Sequence, residues 1–394
     1  MKPTVTKRIQ TKSVARRAQS KTQLDCWNLN DLLKSPQADF DRITTELDAM
    51  ISSLESWRSR LSPEMTTKQF TSLVRLSEQV ASTSTTVGAH SYLWFSEDTT
   101  NQKARAFKNT VEERLTKLQN RMLFFDLWWQ GVDDTHAARL MDASGDVRYH
   151  LESIRRLKPH TLSEPEEKII NVKNVTGRGA MHTLYDVLTN ELTFTLTVDG
   201  KKKSLTREGL MSYLRSPSAR VREATYKELY RVFTGHSNVI GEIYSTLIHD
   251  WRTENIELRK FSTPIAPRNL GNDVPDQAVN ALLSACTKNA SIFQEYFKLK
   301  ARICKLGKIS RYHIYAPHRS DRKRYRYQDA KTMVLEAYRG FSPHMGELAA
   351  RVFDEQHIDA PARPGKLSGA YCYSVAPGLT PYIMLNYTGE ARDI

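Results

Sequence analysis

Apolar side chains recur at intervals of three and four residues along most of the chain. The first clear series runs from Phe40 to Trp57, and a longer one runs from Phe107 to Trp129. This spacing predicts α-helices, because residues three and four apart share one helix face. A continuous stripe of this kind is typical of a face that packs against other helices. The pattern therefore predicts a mainly α-helical protein.

Two stretches depart from the helical spacing. Apolar and polar residues alternate from Leu192 to Val198 and lead into Asp199-Gly200, a pair typical of type I′ hairpin turns. This predicts one β-hairpin, with Lys201-Lys202-Lys203 in its solvated return strand. We also predict a boundary between two lobes near residue 200.

The second departure is the segment from Gly365 to Ile394. Tyr382 to Tyr387 is short, apolar and bounded by turn residues, which predicts a half-buried strand. Pro381 stands at its first position, where a missing N–H does little harm.

Two helix starts carry recognisable caps. Thr100 or Asn101 can accept the free N–H groups of the long helix through Phe107. Ser163 and Glu166 have the spacing of a capping box, with Pro165 in the first turn. His160 lies beside these carboxylates, but the start of a helix accounts for the whole group without catalysis.

Composition adds few constraints on function. The chain has 394 residues, 40% of them apolar, with 17 Gly and 15 Pro, which suits a mainly helical soluble protein. It has neither a run of about eighteen apolar residues nor a signal-peptide core, and we predict a cytoplasmic protein with no membrane partner. The four cysteines form no CxxC pair, which predicts free, buried thiols.

The formal net charge of +14 is unevenly distributed. Residues 1–23 contain seven basic residues and no acid, which predicts a basic, disordered tail. An organelle-targeting peptide and a nucleic-acid-binding arm are the alternatives for this segment. A second patch, Lys300 to Arg326, contains ten basic residues interleaved with tyrosines, a composition that suits RNA stacking. No RRM, KH or helix-turn-helix signature accompanies the patch, so the sequence disfavours nucleic acid as a partner.

Several short segments of this sequence resemble segments of one enzyme family, and they occur in the same order along the chain. Ser368-Gly369-Ala370-Tyr371, followed by Pro381 to Tyr387, resembles the segment that leads into the catalytic helix of oligoendopeptidase F. These enzymes are zinc metallopeptidases of the thimet-oligopeptidase type. Further strings that resemble the family are Trp27 to Leu33, Phe95 to Thr100, Pro159 to Glu167 and His313 to Pro317.

The resemblance implies a two-lobed, nearly all-helical shell around a channel that admits oligopeptides. On this basis we divide the chain into the basic tail at 1–23, an N-terminal helical lobe at 24–200, and the first part of the metallopeptidase catalytic domain at 201–394. In this family His-Glu-x-x-His follows within a few residues, so the chain is expected to lack the catalytic helices, as a fragment, a split gene or the product of a frameshift.

Catalysis by the family mechanism requires zinc, two imidazoles at i and i+4 on one helix, and an adjacent glutamate. None of the eleven histidines has this spacing. Asp354-Glu355-x-His357 lacks a second imidazole, and the sequence has no GxSxG elbow, P-loop or Rossmann glycine set. We therefore predict no catalytic and no metal residues in this chain, which is expected to be an inactive part of a zinc metalloendopeptidase.

Substrate contacts are predicted in the C-terminal segment. Strand side chains alternate, which would place Ile383, Leu385 and Tyr387 towards the core. The predicted substrate-binding residues are those facing the channel and the preceding Gly-Ala-Tyr string: Gly369, Tyr371, Tyr382, Met384 and Asn386. If the strand from Tyr382 lies at a sheet edge, an extended oligopeptide can pair with it; an interior strand with both edges occupied is the alternative.

Three functions remain open from the sequence. The first is part of a zinc oligopeptidase, the second a non-catalytic peptide-binding protein that folds as it stands, and the third a basic helical nucleic-acid-binding protein. Steep salt dependence of binding would distinguish the third. The oligomeric state is left open.

Overall fold

The computed structural model describes residues 24–317 and 323–394. The predicted basic tail at 1–23 lies outside the described residues, and so does the part of the second basic patch at 318–322.

Up to the hairpin, the described chain is helical, as the apolar spacing predicted. The α-helices are α1 (Pro36–Glu55), α2 (Thr67–Glu97), α3 (Gln102–Gly131), α4 (Asp134–Asp142), α5 (Arg148–Arg156), α6 (Glu164–Asn174) and α7 (Ala180–Glu191). A π-helical turn, Val175–Gly179, joins α6 to α7.

The predicted caps hold these helices. Asn101 accepts hydrogen bonds from the N–H groups of Lys103 and Ala104 at 3.0 and 3.2 Å. Ser163 forms the predicted capping box with Glu166, whose carboxylate accepts from the Ser163 N–H at 2.9 Å. Both helix starts are therefore set by local sequence, because these side chains satisfy N–H groups that have no helical partner.

The main core lies between the first five helices. Leu47 and Ile51 of α1 are fully buried, as are Phe70 of α2 and Trp129 of α3. Trp129 donates its indole N–H to the carbonyl of Leu151 at 2.9 Å, so its polar atom is satisfied inside the core. The two apolar series seen in the sequence are therefore packing faces.

The remaining elements begin with the predicted hairpin. They are β1 (Phe194–Val198), β2 (Lys201–Leu205), α8 (Arg207–Met211), α9 (Ala219–Gly235), α10 (Ser237–Arg252), α11 (Ala266–Gly271), α12 (Asp276–Lys288), α13 (Ala290–Ile303), α14 (Tyr327–Phe341), α15 (Pro343–Asp354), β3 (Ile358–Pro361), β4 (Tyr371–Tyr373) and β5 (Tyr382–Tyr387). A second π-helical turn, Thr253–Leu258, follows α10.

The hairpin has the predicted turn. Asp199 and Gly200 have φ values of 51° and 74°, the two positive values that a type I′ turn requires. β1 and β2 pair antiparallel, and Phe194 and Leu196 are buried against α8 and α9. The three lysines of β2 are exposed, as predicted.

An ion-pair cluster joins the helices before the hairpin to those after it. Arg259 makes a bidentate contact with Glu167 of α6 at 2.7 and 2.9 Å, and it also donates to Glu254 at 3.1 Å. The His160 ring stacks on Phe261 with centroids 3.6 Å apart. His160 is thus part of a structural contact, and the lobe boundary near residue 200 stays a prediction.

The prediction of buried thiols was wrong. All four cysteines are free, but Cys26, Cys286 and Cys372 are exposed and Cys304 is only half-buried. The reason is that α12, which carries Cys286, has no buried residue, while Cys372 lies on the open face of a short strand. Within the described ranges, no helix is both long enough and apolar enough to cross a membrane.

Candidate functional site

The last three strands form a small mixed sheet with the order β3–β5–β4. β3 runs parallel to β5, pairing Ile358 with Ile383. β4 runs antiparallel, pairing Tyr371 with Met384 and Tyr373 with Tyr382. The predicted strand from Tyr382 to Tyr387 is present as β5, and it lies in the middle of the sheet.

One face of this sheet packs against α2. Tyr382 and Met384 are both 0% exposed and form a cluster with Ala89 and Leu93 of α2. On the opposite face, Ile383, Leu385 and Tyr387 pack beside Tyr327 and Val352. The sheet is therefore covered on both sides along β5.

Two predictions about this strand were wrong. β5 is an interior strand with neighbours on both sides, so it offers no edge to a peptide, and the alternative that the sequence left open is the observed arrangement. Tyr382 and Met384 do not face a channel, because α2 covers them. Alternation along β5 separated the two sets of side chains as expected, but it could not tell which helix lies over each face.

Tyr382 and Asn386 hold neighbouring segments in place. The Tyr382 hydroxyl donates to the carbonyl of Asn28 at 3.0 Å, and its ring stacks on His357 at 3.8 Å. The Asn386 amide donates to the carbonyls of Leu367 and Gly369 at 3.0 and 2.8 Å. Asn386 thus fixes the loop that leads into β4.

A buried lysine supports the same sheet. β3 and β5 change register between Asp359 and Pro361. There the Lys366 ammonium donates to the carbonyls of Asp359, Pro361 and Leu385 at 2.9, 2.9 and 2.6 Å. It also lies 3.1 Å from the Asp359 carboxylate, which Arg363 contacts at 2.9 and 2.7 Å. Burial lowers the pKa of Lys366 to about 8, against the opposing attraction of Asp359.

The end of α2 fixes the loop from the other side. Thr99 donates its N–H and its hydroxyl to the carbonyl of Gly365 at 2.8 and 2.9 Å, and Leu367 donates to the carbonyl of Ser96 at 3.0 Å. Gly365 has a φ of +78°, and a Cβ there would lie 2.3 Å from Oδ1 of Asp98. Glycine is therefore required at this position for both backbone conformation and space.

The outer edge of β4 is unpaired within the described part of the chain. Ile383 donates its N–H to the carbonyl of His357 at 2.8 Å, so the backbone groups of Ile383 point towards β3. In an antiparallel pair, residues whose groups point away from each other alternate with residues that exchange both hydrogen bonds. Cys372, the partner of Ile383, therefore directs its N–H and C=O away from β5, towards the open edge.

Tyrosines line the α2-facing side of this edge. The rings of Tyr371 and Tyr373 each lie 5.8 Å from the ring of Tyr92, measured between centroids. Burial raises the pKa of all three phenols further above neutral pH. The predicted residues Gly369 and Tyr371 lie at this edge, whereas Tyr382, Met384 and Asn386 support it.

One group in the described ranges has the composition of a metal site. Ligand atoms of Asp31, Glu355 and His357 all lie within 4.8 Å of one another. Nε2 of His357 is 3.1 Å from Asp31, and its Nδ1 is 3.1 Å from the carbonyl of Thr380. Both ring nitrogens of His357 therefore already face an oxygen of the protein. The group offers one imidazole and two carboxylates, which does not match the paired imidazoles of a His-Glu-x-x-His zinc site.

Sequence reasoning missed several residues of this region. It did not identify β3, which supplies the parallel neighbour of β5, nor the donor role of Lys366. It also missed Asp31 beside His357 and Tyr92 beside β4. The sequence held one signal for this turn, which is Gly365 immediately before Lys366.

Comparison with known proteins supports the family resemblance seen in the sequence. A family model described as oligopeptidase F matches residues 129–194. Oligopeptidase PepF of Bacillus subtilis is 23% identical over 251 residues, which are 62% of this chain and 37% of that protein. An oligoendopeptidase F homolog of Borreliella burgdorferi is 22% identical over 317 residues, 78% of this chain and 52% of that protein. The resemblance to oligoendopeptidase F is confirmed.

The fold agrees with this result. The crystal structure of oligoendopeptidase F from Enterococcus faecium matches with a TM-score of 0.65 at 18% identity, over 81% of this chain and 66% of that one. The mainly α-helical architecture with small sheets is therefore that of oligoendopeptidase F structures. This chain spans about half the length, or less, of the two sequence relatives named above.

Proposed function

We propose that this chain binds oligopeptides in an extended conformation along the outer edge of β4. The observation that carries the proposal is the unpaired edge at Cys372, whose N–H and C=O point away from the sheet. A peptide that adds as a further strand can make main-chain hydrogen bonds there irrespective of its sequence. The confirmed resemblance to oligoendopeptidase F makes a peptide the natural ligand class for this edge.

The architecture around β4 supports this role. Asn386 and the end of α2 hold the loop at Gly369, and the Gly369 N–H donates to Glu208 of α8 at 3.3 Å. Lys366 links β5 to the adjacent strand β3 by donating hydrogen bonds to carbonyls of both strands. An edge held on several sides is ordered before a peptide arrives, which reduces the entropy lost on binding. In this proposal Cys372 makes the main-chain contact and Gly369 and Tyr371 flank it at the edge, while Tyr382, Met384 and Asn386 act as positioning residues.

We propose that the peptide binding serves zinc-dependent hydrolysis of oligopeptides, the activity that the resemblance to oligoendopeptidase F implies. Zinc bound by two imidazoles supplies a Lewis acid and an activated water. The sequence contains no His-Glu-x-x-His, and the Asp31–Glu355–His357 group does not match that ligand set. We therefore propose that this chain contributes peptide binding and does not itself hydrolyse peptides. Cytoplasmic location also stays a prediction.

Peptide binding is tested with the 394-residue chain and a fluorescently labelled alanine-rich hexapeptide, by fluorescence anisotropy. Cys372→Pro removes the outward N–H, and an edge strand tolerates proline because no internal ladder bond is lost. We expect Cys372→Pro to weaken binding about fivefold or more, by analogy with the loss of one hydrogen bond. Cys372→Ala, which removes only the thiol, is the matched control and should bind as the parent does.

Equal affinities of Cys372→Pro and the parent, with both proteins folded, would contradict pairing at this edge. Hydrolysis is tested separately with quenched fluorescent peptides, with added zinc and with chelator. We expect no cleavage under either condition, and chelator-sensitive cleavage would contradict the proposed division of roles.

A further inference from the structure

A cavity of about 350 Å³ lies beside the open edge of β4. Gly88 and Tyr92 of α2 line it, together with Val111 and Leu115 of α3 and Tyr373 of β4. Val111 is fully buried and Leu115 is nearly so, so the floor of the cavity is part of the helical core. Its lining is therefore mainly aliphatic and aromatic.

The register of β4 determines which side chain of a bound peptide reaches the cavity. A peptide residue that pairs with the outward backbone groups of Cys372 shares the exposed face of Cys372. Its neighbour, opposite Tyr373, projects to the same face as Tyr373, because directly opposed residues in adjacent strands share a face. That face is turned towards α2, since Tyr382 and Met384 on it pack against Ala89 and Leu93. The side chain opposite Tyr373 therefore points towards the cavity.

The chemistry of the lining indicates the class of this side chain. The Tyr92 and Tyr373 rings contact each other with centroids 5.8 Å apart, and a third aromatic ring can add to this pair through an offset or edge contact. One carboxylate, that of Glu112, also lines the cavity. It is paired with Lys108 at 2.7 Å, so its charge is balanced by the protein itself. A basic side chain thus finds no unpaired carboxylate among these lining residues.

We propose that this cavity is a specificity pocket for an aromatic side chain of the bound peptide, at the position opposite Tyr373. The proposal rests on the proposed binding of peptides at β4 and adds a preference that the main-chain contacts cannot supply.

The preference is tested with the full chain and labelled hexapeptides of alanine that differ at one position, which is Phe, Lys or Ala. The substituted position is moved along the hexapeptide from one peptide to the next, so that in one peptide of each set the substituted residue lies opposite Tyr373. We expect the best Phe peptide to bind about tenfold or more tightly than the Ala peptide, since a buried Phe side chain removes a large apolar area from water. The Lys peptides should bind no more tightly than the Ala peptide.

Gly88→Leu fills the cavity from α2. A Cβ at Gly88 would meet only Leu115 Cδ1, at 3.7 Å, so the substitution places its bulk in the cavity without a backbone clash. We expect Gly88→Leu to abolish the preference for Phe. Gly340→Leu is the matched control: Gly340 is in α14, far along the chain, and has no atom within 4 Å of a Cβ. It should retain the parental preference.

Tyr92→Leu provides a second variant that keeps the cavity apolar and removes one ring. The Phe preference should fall about two- to tenfold, the range expected for the loss of an aromatic pair. If the Ala, Phe and Lys peptides bind the parent equally, or if Lys is preferred, the pocket assignment is overturned while peptide binding stands. If no peptide binds at all, the proposed function fails and this inference fails with it.

Discussion

Lys366→Met tests the physical account of the sheet that carries the candidate site. Methionine has a similar length and no donor, so the substitution removes the hydrogen bonds to the carbonyls of Asp359, Pro361 and Leu385. The Lys366 side chain is 0% exposed, so water cannot replace these donors without rearrangement. We expect the variant to be less stable than the parent.

The magnitude follows from the number of acceptors left without a donor. Each buried carbonyl that loses its partner costs roughly 1 kcal/mol or somewhat more, which gives a total of about 3 kcal/mol. Asp359 adds little, because Arg363 still contacts both of its carboxylate oxygens, at 2.9 and 2.7 Å. A loss of about 3 kcal/mol corresponds to roughly two orders of magnitude in the unfolding equilibrium constant.

The assay is equilibrium unfolding in urea, followed by far-ultraviolet circular dichroism at pH 7. Lys173→Met, at an exposed position of α6, is the matched control and should change the free energy of unfolding by less than about 0.5 kcal/mol. If Lys366→Met destabilises the chain no more than this control does, the three carbonyls are satisfied in another way and the account of the β3–β5 junction is wrong.

Three further predictions concern the same region. The pKa of Lys366 is about 8 in the folded chain and 10.5 ordinarily, so between these pH values the unfolded chain binds more protons and the stability contributed by this group rises with pH. In urea titrations at pH 7 and pH 10, the loss of unfolding free energy caused by Lys366→Met should therefore be larger at pH 10. An equal loss at both pH values would contradict the pKa shift. Gly365→Ala should lower the free energy of unfolding by about 2 kcal/mol or more in the same assay, because backbone strain at positive φ is joined by the clash of the new Cβ with Asp98. Gly378→Ala, at a φ of +86° with open space around the Cβ, is the control and should lower it distinctly less. Equal losses would show that the clash with Asp98 is relieved. Asn386→Ala should weaken hexapeptide binding while reducing stability by only about 1 kcal/mol, because it releases the loop carbonyls of Leu367 and Gly369; unaltered affinity would remove Asn386 from the positioning role.

The parts of the fold that are determined by local sequence were predictable. The helix faces from Phe40 and from Phe107, the Asn101 cap, the Ser163–Glu166 capping box and the Asp199-Gly200 turn each depend on residues close together in the chain. Physical contacts within a few residues are enough to select these elements.

The candidate site depends on contacts between distant residues, which periodicity does not contain. The position of β5 in the sheet depends on β3, a strand of four residues whose Asp359 is buried only because Lys366 and Arg363 contact it. Likewise, the burial of Tyr382 and Met384 depends on α2, nearly three hundred residues earlier in the chain. The strand itself could therefore be predicted, but its neighbours and its covered face could not.

The most direct test of the central claim is amide hydrogen exchange at β4 in the 394-residue chain, with and without a saturating alanine-rich hexapeptide. Without peptide, the outward Cys372 N–H should exchange faster than the N–H groups of Tyr371 and Tyr373, which face β5. With peptide, exchange at Cys372 should slow about tenfold or more, because its N–H becomes a donor to the added strand. Exchange at Cys372 that is unaffected by a peptide known to be bound would show that the peptide binds elsewhere, and would contradict the proposal that the edge of β4 is the binding site.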